Sequence, residues 1–426
     1  MGEELIFLGA LVFAAHLFSM IFSKKKIPDV LLLMIIGIII GPILKLVKPD
    51  FMGSAGAIFT SITLIVILFE GGIDISINDL KKSWKSTIRL SINSVILSIL
   101  LVSLFGLIFQ LSIINSLILG VILSGTSSAV VIPLTQHLKL GKETKTVLVL
   151  ESAITDIICF VLALALMESE RAGGGLNFGK ITGGVASSFI MATIFGVIGG
   201  ILWSSLLHKI RNFKNSIFLT PAYAFVIYGI VEYLGFSGAI AALTLGITMA
   251  NIQHFNFPFL EKYQRDRNLN LTETEKSFIS EIVFVLKTFF FVYIGISIPF
   301  NNIIALSAGL IITIILMIMR LFVSKYTAPS SANGFDKSVI ALMIPKGLAA
   351  AVLASIPEQM GLPQGDIIKS IVFSTVLFSI LACSIMIFVI EKYPKANIML
   401  RYLFNPKKNK TKISSKESKD FDNTNS

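Results

Sequence analysis

Long apolar segments separated by short polar ones dominate the pattern of this sequence. Thirteen segments of the roughly 20-residue length that crosses a bilayer can be marked along the chain. They span residues 4–22, 28–45, 53–73, 90–110, 113–136, 146–167, 182–207, 216–234, 236–251, 279–299, 303–324, 338–357 and 367–391. The pattern predicts an all-α polytopic membrane protein with about 13 transmembrane helices, forming a membrane domain over residues 1–395.

The positive charges between these segments alternate from one side to the other. Most of the 36 lysines and arginines lie in the loops after the odd-numbered segments and in the C-terminal stretch. The opposite loops hold only Lys45, Lys48, Arg171 and Lys180. Because cytoplasmic loops are enriched in Lys and Arg, the N-terminus is predicted outside and the C-terminus inside.

Composition supports the same class of protein. The chain has 426 residues, of which 54% are hydrophobic and 14% are charged, and its mean hydropathy is +0.83. A soluble domain carries roughly 25% charged residues. The net charge of +11 follows from the loop lysines, so no nucleic-acid partner is predicted. Residues 396–426, rich in polar residues, are predicted to form a cytoplasmic, largely disordered tail.

Two of the apolar segments contain residues that interrupt a helix. In the fifth they are Gly125, Thr126, Ser127 and Ser128, and in the twelfth they are Pro345, Lys346 and Gly347. Ordinary kinks are the simpler interpretation of either interruption alone. However, the two segments cross in opposite directions, and corresponding interruptions in two inverted halves are typical of transporters. Segments 1–6 and 8–13 are therefore predicted to be inverted repeats.

The sixth segment carries the acidic stretch ESAITD over residues 151–156. Counted from the inner face near Lys145, Glu151 lies about 9 Å deep and Asp156 about 16 Å deep. Asp156 is thus near the middle of a hydrocarbon layer about 30 Å thick. An ionisable group at that depth indicates an ion or proton pathway, although a structural ion pair or a protonated carboxyl is the alternative.

Neighbouring polar residues can be placed by the same arithmetic. Arg320, in the eleventh segment, lies about 8 Å from the inner face, so it shares a depth with Glu151 and is predicted to pair with it. Ser152 and Asp156 share one helix face, and Thr155 lies beside Ser152. Glu70 lies near the inner end of the third segment.

These groups favour a hard monovalent cation over other chemistry. Carboxylate and hydroxyl oxygens suit such ions, whereas the four histidines are scattered without ligand spacing. No phosphate-binding glycine motif occurs, and Ser152 has no histidine partner in register. No cofactor and no enzymatic activity are predicted. Because a buried carboxylate holds either a proton or a cation, its alternate exposure to the two sides produces an antiporter.

The chain resembles the monovalent cation:proton antiporter superfamily, in particular its sodium/proton exchanger branch. The resemblance covers about residues 4–391. Its motifs are FEGGIDIS from Phe69, LSGTSSAVVIPL from Leu123, ESAITD from Glu151, FFFVYIGISI from Phe289, Arg320, and PKGLAAAVLA from Pro345.

The resemblance implies a homodimer. Each protomer would have a dimerisation domain and a core domain, and the core domain would contain two crossed, unwound helices in segments 5 and 12. It implies an ion site at Asp156, assisted by oxygens of Ser152, Thr126 and Glu70. It also implies that Glu151 and Arg320 form the ion pair of the electroneutral branch.

Departures from the family pattern occur in the stretch Thr126-Ser127-Ser128, where Thr-Asp or Thr-Asp-Pro is frequent, and at two single positions. Thr155 stands where the electroneutral branch usually has Asn and the electrogenic branch a second Asp. Lys346 stands where Arg is common. These departures bear on ion preference more than on the fold.

The sequence therefore predicts a secondary antiporter that exchanges Na⁺ or Li⁺ for H⁺ across the cell membrane. A K⁺/H⁺ antiporter is the alternative, and a cation channel is disfavoured because no filter-like loop is evident. The predicted ion- and proton-binding residues are Asp156, Thr155, Ser152, Glu70 and Thr126. Since Thr155 cannot titrate and Glu151 is expected to be paired, electroneutral exchange is predicted.

Overall fold

The computed structural model describes residues 29–47, 55–171, 178–210, 216–254 and 271–393, together with residue 9 and the pairs 12–13 and 16–17. The predicted first span, 4–22, falls almost entirely outside these residues, and the predicted tail, 396–426, falls wholly outside them. Within the described residues the chain is helical and contains no strand.

Fourteen α-helices lie in the described ranges. They are α1 Asp29–Ile38, α2 Ala55–Ile73, α3 Ile77–Ile108, α4 Ile113–Ile122, α5 Ser128–His137, α6 Lys142–Arg171, α7 Phe178–Ile210, α8 Leu219–Tyr233, α9 Gly238–Ala250, α10 Glu273–Ile296, α11 Ile303–Thr327, α12 Gly334–Leu342, α13 Leu348–Gln359 and α14 Gly365–Lys392. Helix α1 continues into a π-helical turn, Ile39–Ile43, that contains Pro42.

Length and composition separate ten of these helices into two sets. Six of them, α3, α6, α7, α10, α11 and α14, are long and apolar enough to cross a membrane. The described parts of α1, α2, α4 and α9 are apolar but shorter. The prediction of an all-α polytopic membrane protein is thereby confirmed.

The predicted fifth and twelfth segments each form two short helices. Residues 123–127 separate α4 from α5, and residues 343–347 separate α12 from α13. The two interruptions contact each other, because the backbone N–H of Ser127 donates to the carbonyl of Pro345 at 2.8 Å. Gly347 immediately precedes α13. The polar and helix-breaking residues thus lie where the helices stop.

The outer ends of the broken helices are also fixed. At one end, the buried carboxylate of Asp336 in α12 accepts from the N–H of Gly141 at 3.3 Å and from the hydroxyl of Thr144 at 3.2 Å. At the other, the Asn115 amide of α4 donates to Pro363 O at 2.9 Å and to Gln364 Oε1 at 3.0 Å. Helices α12 and α4 are therefore each tied by side-chain hydrogen bonds to a distant part of the chain.

Two principal cores organise the helices. The larger one includes buried side chains of α1, α3 to α6 and α10 to α14. A smaller one is shared by α2, α7, α8 and α9, and its largest side chains include Phe69 and Trp203. Helix α9 packs on α2 through Gly246, whose Cα faces that of Gly72, and an added Cβ at Gly246 would lie 3.1 Å from the Gly72 Cα.

The contact between α2 and α9 predicts the behaviour of Gly246→Ala. An alanine normally stabilises a helix interior by about 1 kcal/mol over glycine. At Gly246, however, the new methyl would meet the carbonyl of Phe69, so we expect a lower melting temperature in detergent. Gly229→Ala in α8 is the control, because an added Cβ there meets nothing within 4 Å. Equal melting temperatures for the two variants would contradict the close packing of α2 on α9.

Candidate functional site

Glu151 and Arg320 form a fully buried ion pair between α6 and α11. The guanidinium donates to both carboxylate oxygens, with Nη1–Oε1 at 2.8 Å and Nη2–Oε2 at 2.9 Å. Its Nε donates to Ile340 O at 3.0 Å, and Nη1 also contacts the hydroxyl of Ser94. Since Glu151 is 0% exposed and Arg320 2%, these bonds satisfy two charges that water does not reach. The structure thus brings together Glu151 and Arg320, which were predicted to lie at the same depth from the inner face.

The first interruption packs directly against α6. The N–H of Thr126 donates to Thr155 Oγ1 at 3.2 Å, and the Thr126 hydroxyl donates to Glu151 Oε1 at 3.3 Å. A Cβ added at Gly125 would lie 3.3 Å from Asp156 Oδ1 and 2.9 Å from Cys159 Sγ. Glycine at this position therefore lets the broken helix approach the Asp156 carboxylate.

Asp156 receives a hydrogen bond from the second half of that broken helix. The hydroxyl of Ser128, the first residue of α5, donates to Asp156 Oδ2 at 3.3 Å. The first turn of a helix has unpaired N–H groups and the positive end of the helix dipole, both of which favour an anion. The start of α5 is therefore suited to a carboxylate in its ionised form.

Lys346 reaches from the second interruption to the first. Its ammonium donates to Gly125 O at 2.7 Å, and its backbone N–H donates to the hydroxyl of Ser379 in α14 at 2.9 Å. The side chain is 3% exposed. The carbonyls after the last turn of α4 are unpaired within the helix, so a cation at Gly125 complements the negative end of its dipole.

Two further predicted ligands, like Thr126, have hydrogen-bond partners other than Asp156. Ser152 is buried and donates to Val149 O in its own helix at 2.8 Å. Glu70 accepts from the hydroxyl of Ser280 in α10 at 2.7 Å. Among the contacts of the described residues, neither touches Asp156. A single cation shell of Asp156, Ser152, Thr126 and Glu70 therefore stays a prediction.

Glu70 and Asp156 nevertheless border the same space. A cavity of about 320 Å³ is lined by both carboxylates and by Asp74, Ser280 and Lys287. A smaller one of about 40 Å³, lined by Ser127, Ser128 and Asp156, continues toward the interruption. The Asp156 carboxyl therefore borders a cavity that several other charged side chains also line.

A third cavity, of about 310 Å³, lies along the other half of α6. Its lining includes Glu168, Glu232 and Tyr228, but not Asp156. The first cavity contacts α6 between Val149 and Ile157, and this one between Val161 and Glu168. The two cavities thus occupy opposite halves of the helix that carries the acidic stretch.

Several residues at the site were not foreseen in these roles. They are Ser94 beside Arg320, Ser128 as the partner of Asp156, Ser280 beside Glu70, Lys287 in the cavity and Ser379 beside Lys346. Ser128 and Lys346 had been predicted only as positions of interruption. A lone hydroxyl in an apolar segment gives little signal, because serine is common wherever membrane helices pack.

A bundle of apolar helices holding an ionisable site between two interrupted helices defines a multi-pass membrane protein. The chain belongs to the sodium/hydrogen exchanger family, whose transmembrane model matches residues 9–392. This is a family of membrane transporters rather than enzymes, and the predicted resemblance is confirmed.

Individual relatives agree with this assignment. The chain is 25% identical to the probable Na⁺/H⁺ antiporter 2 of Methanocaldococcus jannaschii, over 93% of this chain and 98% of that one. It is 25% identical to the K⁺/H⁺ antiporter subunit KhtU of Bacillus subtilis, over 59% and 64%. The structure of the sodium proton antiporter MjNhaP1 from M. jannaschii matches with a TM-score of 0.71 at 21% identity, covering 93% of this chain and 98% of that one. That likeness shows a shared fold.

The buried ion pair yields a double-mutant test. Removing one partner leaves the other charge unpaired, at a typical cost of about 3–5 kcal/mol. We therefore expect Glu151→Ala and Arg320→Ala each to lower the melting temperature in detergent, and the double variant to lose less than the two losses added. Additive losses would show that the two side chains do not stabilise each other.

Proposed function

We propose that this protein is a secondary antiporter that exchanges Na⁺ or Li⁺ for H⁺ across the cell membrane. The observation that carries the proposal is the position of Asp156. Its carboxyl lies beside two interrupted helices and borders a cavity that Glu70, Asp74 and Lys287 also line. A carboxylate there takes up a proton or a cation in competition, because each neutralises the same charge.

The surroundings of Asp156 support a hard cation as the substrate. Ser128 already places a hydroxyl oxygen at the carboxylate, and Glu70 offers a second carboxylate in the same cavity. A cation in this cavity would have Asp156 and Glu70 as carboxylate ligands. The hydroxyls of Ser152 and Thr126, which donate to Val149 O and Glu151, would rotate toward it to complete the shell. All of these are oxygen ligands of the kind that Na⁺ and Li⁺ accept.

The proposed architecture has thirteen spans, crossed interruptions and inverted repeats, with the N-terminus outside. The packing supports the repeats, because two glycine contacts recur in equivalent places. Gly72 in α2 lies against Gly246 in α9, and Gly295 in α10 lies against Gly37 in α1. Exchanging the two halves maps one contact onto the other, since segments 2 and 3 correspond to segments 9 and 10.

Alternating access requires a route to Asp156 from each side. In the described state Asp156 lines the cavity that holds Glu70, while the cavity with Glu168 and Glu232 lies along the other half of α6. A displacement of α6 and the interrupted helices against α2 and α9 would transfer Asp156 from one cavity to the other.

The contacts of the remaining acids favour electroneutral exchange. Moving a net charge with one cation needs a second titrating proton. Glu151 is held by Arg320, and the Thr155 hydroxyl accepts from Thr126 and has no carboxyl to titrate. With Glu70 acting only as a ligand of the cation, Asp156 carries one proton against one cation.

A K⁺/H⁺ antiporter is the second candidate. The similarity to a K⁺/H⁺ antiporter subunit favours it, although that match covers 59% of this chain. The same carboxylate would serve, within a looser oxygen shell. Parallel flux measurements with Na⁺, Li⁺ and K⁺ distinguish the two.

The proposed homodimer would form through the smaller helix group. Helix α7 carries a stripe of exposed apolar side chains at four-residue spacing. They are Ile190, Ile194, Ile198, Leu202 and Leu206. Such a face suits a second copy of the chain within the bilayer, and the mass of the detergent-solubilised protein tests it.

Asp156→Asn tests the central proposal. The amide cannot exchange a proton for a cation, so we expect Na⁺-driven proton movement in proteoliposomes to be lost while the protein stays folded. Asp366→Asn is the control, because that carboxylate is exposed at the start of α14. Substantial exchange by folded Asp156→Asn would end the proposed mechanism.

The stoichiometry has its own measurement. With the pH gradient clamped, an imposed membrane potential should drive no cation movement through the wild-type protein, because one charge leaves for each that enters. Cation accumulation in response to voltage would indicate a second proton, and Glu70 would be the first residue to examine.

A further inference from the structure

The hydroxyl of Ser379 lies at the second interruption, in α14. It accepts from the backbone N–H of Lys346 at 2.9 Å and donates to Val376 O, three residues back in its own helix, at 3.1 Å. Ser379 is 0% exposed. Both hydrogen-bonding functions of this hydroxyl are therefore in use, one for its own helix and one for the interruption.

The first interruption has the same arrangement. Thr155 Oγ1 accepts from the N–H of Thr126 at 3.2 Å and donates to Ser152 O, again three residues back, at 3.2 Å. Helix α6 is the next helix after the interrupted pair α4 and α5, and α14 is the next helix after the interrupted pair α12 and α13. Ser379 is thus the counterpart of Thr155, the residue next to the proposed transport carboxylate.

The second interruption differs from the first in the charge it carries. Lys346, whose N–H Ser379 holds, extends its ammonium to Gly125 O at 2.7 Å. Gly125 in turn lies against Asp156, as the 3.3 Å separation of its added Cβ from Oδ1 shows. Hydrogen bonds therefore run from Ser379 through Lys346 to Gly125, and Gly125 lies next to the Asp156 carboxyl.

We infer that Ser379 is a positioning residue for cation binding, which acts through Lys346. By fixing the Lys346 backbone it keeps the ammonium on the Gly125 carbonyl and off the Asp156 carboxylate. This inference rests on the proposed antiport function. An ammonium released from Gly125 would have the adjacent carboxylate as its next acceptor, where it would compete with the transported cation.

The sign of the effect follows from that competition. Ser379→Ala leaves the buried N–H of Lys346 without its partner, so the interruption relaxes and the ammonium loses its fixed position. The apparent KM for Na⁺ should rise roughly tenfold, the size expected for one lost hydrogen bond, while the maximal rate changes less. Ser379→Thr retains the hydroxyl and should restore a KM near that of the wild type.

A matched control comes from the same helix. Ser374 is equally buried, and its hydroxyl donates to Ser370 O within α14 at 2.8 Å. Ser374→Ala should therefore leave the KM unchanged. If Ser379→Ala does not fold, Ser379→Cys preserves the volume with a weak acceptor, and its KM should rise in the same way.

The decisive measurement is a double-mutant cycle with Lys346→Met. Cation affinity is read both as the KM in proteoliposomes and as the Na⁺ dependence of the melting temperature, which does not require turnover. If Ser379 acts through the ammonium, Ser379→Ala has no further effect on affinity in the Lys346→Met background. An unchanged affinity in Ser379→Ala and Ser379→Cys, or an equal loss in both backgrounds, would overturn the inference. Failure of the wild-type protein to exchange cations would instead overturn the proposed function.

Discussion

The site depends on how two interrupted helices satisfy their backbone groups inside an apolar layer. Where a helix stops at membrane depth, its free N–H and C=O groups need partners from the protein or from water in a cavity. Here the two interruptions are hydrogen-bonded to each other, because the N–H of Ser127 donates to the carbonyl of Pro345. The hydroxyls of Thr155 and Ser379 accept hydrogen bonds from the N–H groups of Thr126 and Lys346, and the Lys346 ammonium donates to the carbonyl of Gly125. The polar side chains of the site are largely those that this requirement brings together.

Two carboxylates on one helix have contrasting surroundings. Glu151 is held by both Nη atoms of Arg320 and by Thr126, so its charge is matched and its position is fixed. Asp156, little more than one turn further on, has one side-chain hydrogen bond within the described part of the chain, from Ser128, and borders a cavity. A paired charge is suited to holding α6 against α11, whereas an accessible one is suited to exchanging a proton for a cation.

Sequence alone determined the helical class, the multi-pass character and the family. Segment length and hydropathy depend on composition along the chain, so they can be read without a structure. The interruptions also coincide with their Gly, Pro and hydroxyl residues, because those residues disfavour a continuous helix locally. Depth along a helix is linear in residue number, which is why Glu151 and Arg320 could be matched before their contact was seen.

Only the tertiary structure decided which polar groups meet. Counting along a helix gives the depth of a side chain but not its neighbours on other helices, which depend on packing and rotation. Ser152 therefore bonds to its own helix and Glu70 to Ser280, although both had been assigned to Asp156. Ser128 and Ser379 acquire their roles from partners far away in the chain, and a serine in an apolar segment has the same sequence signal whether it packs or positions a charge.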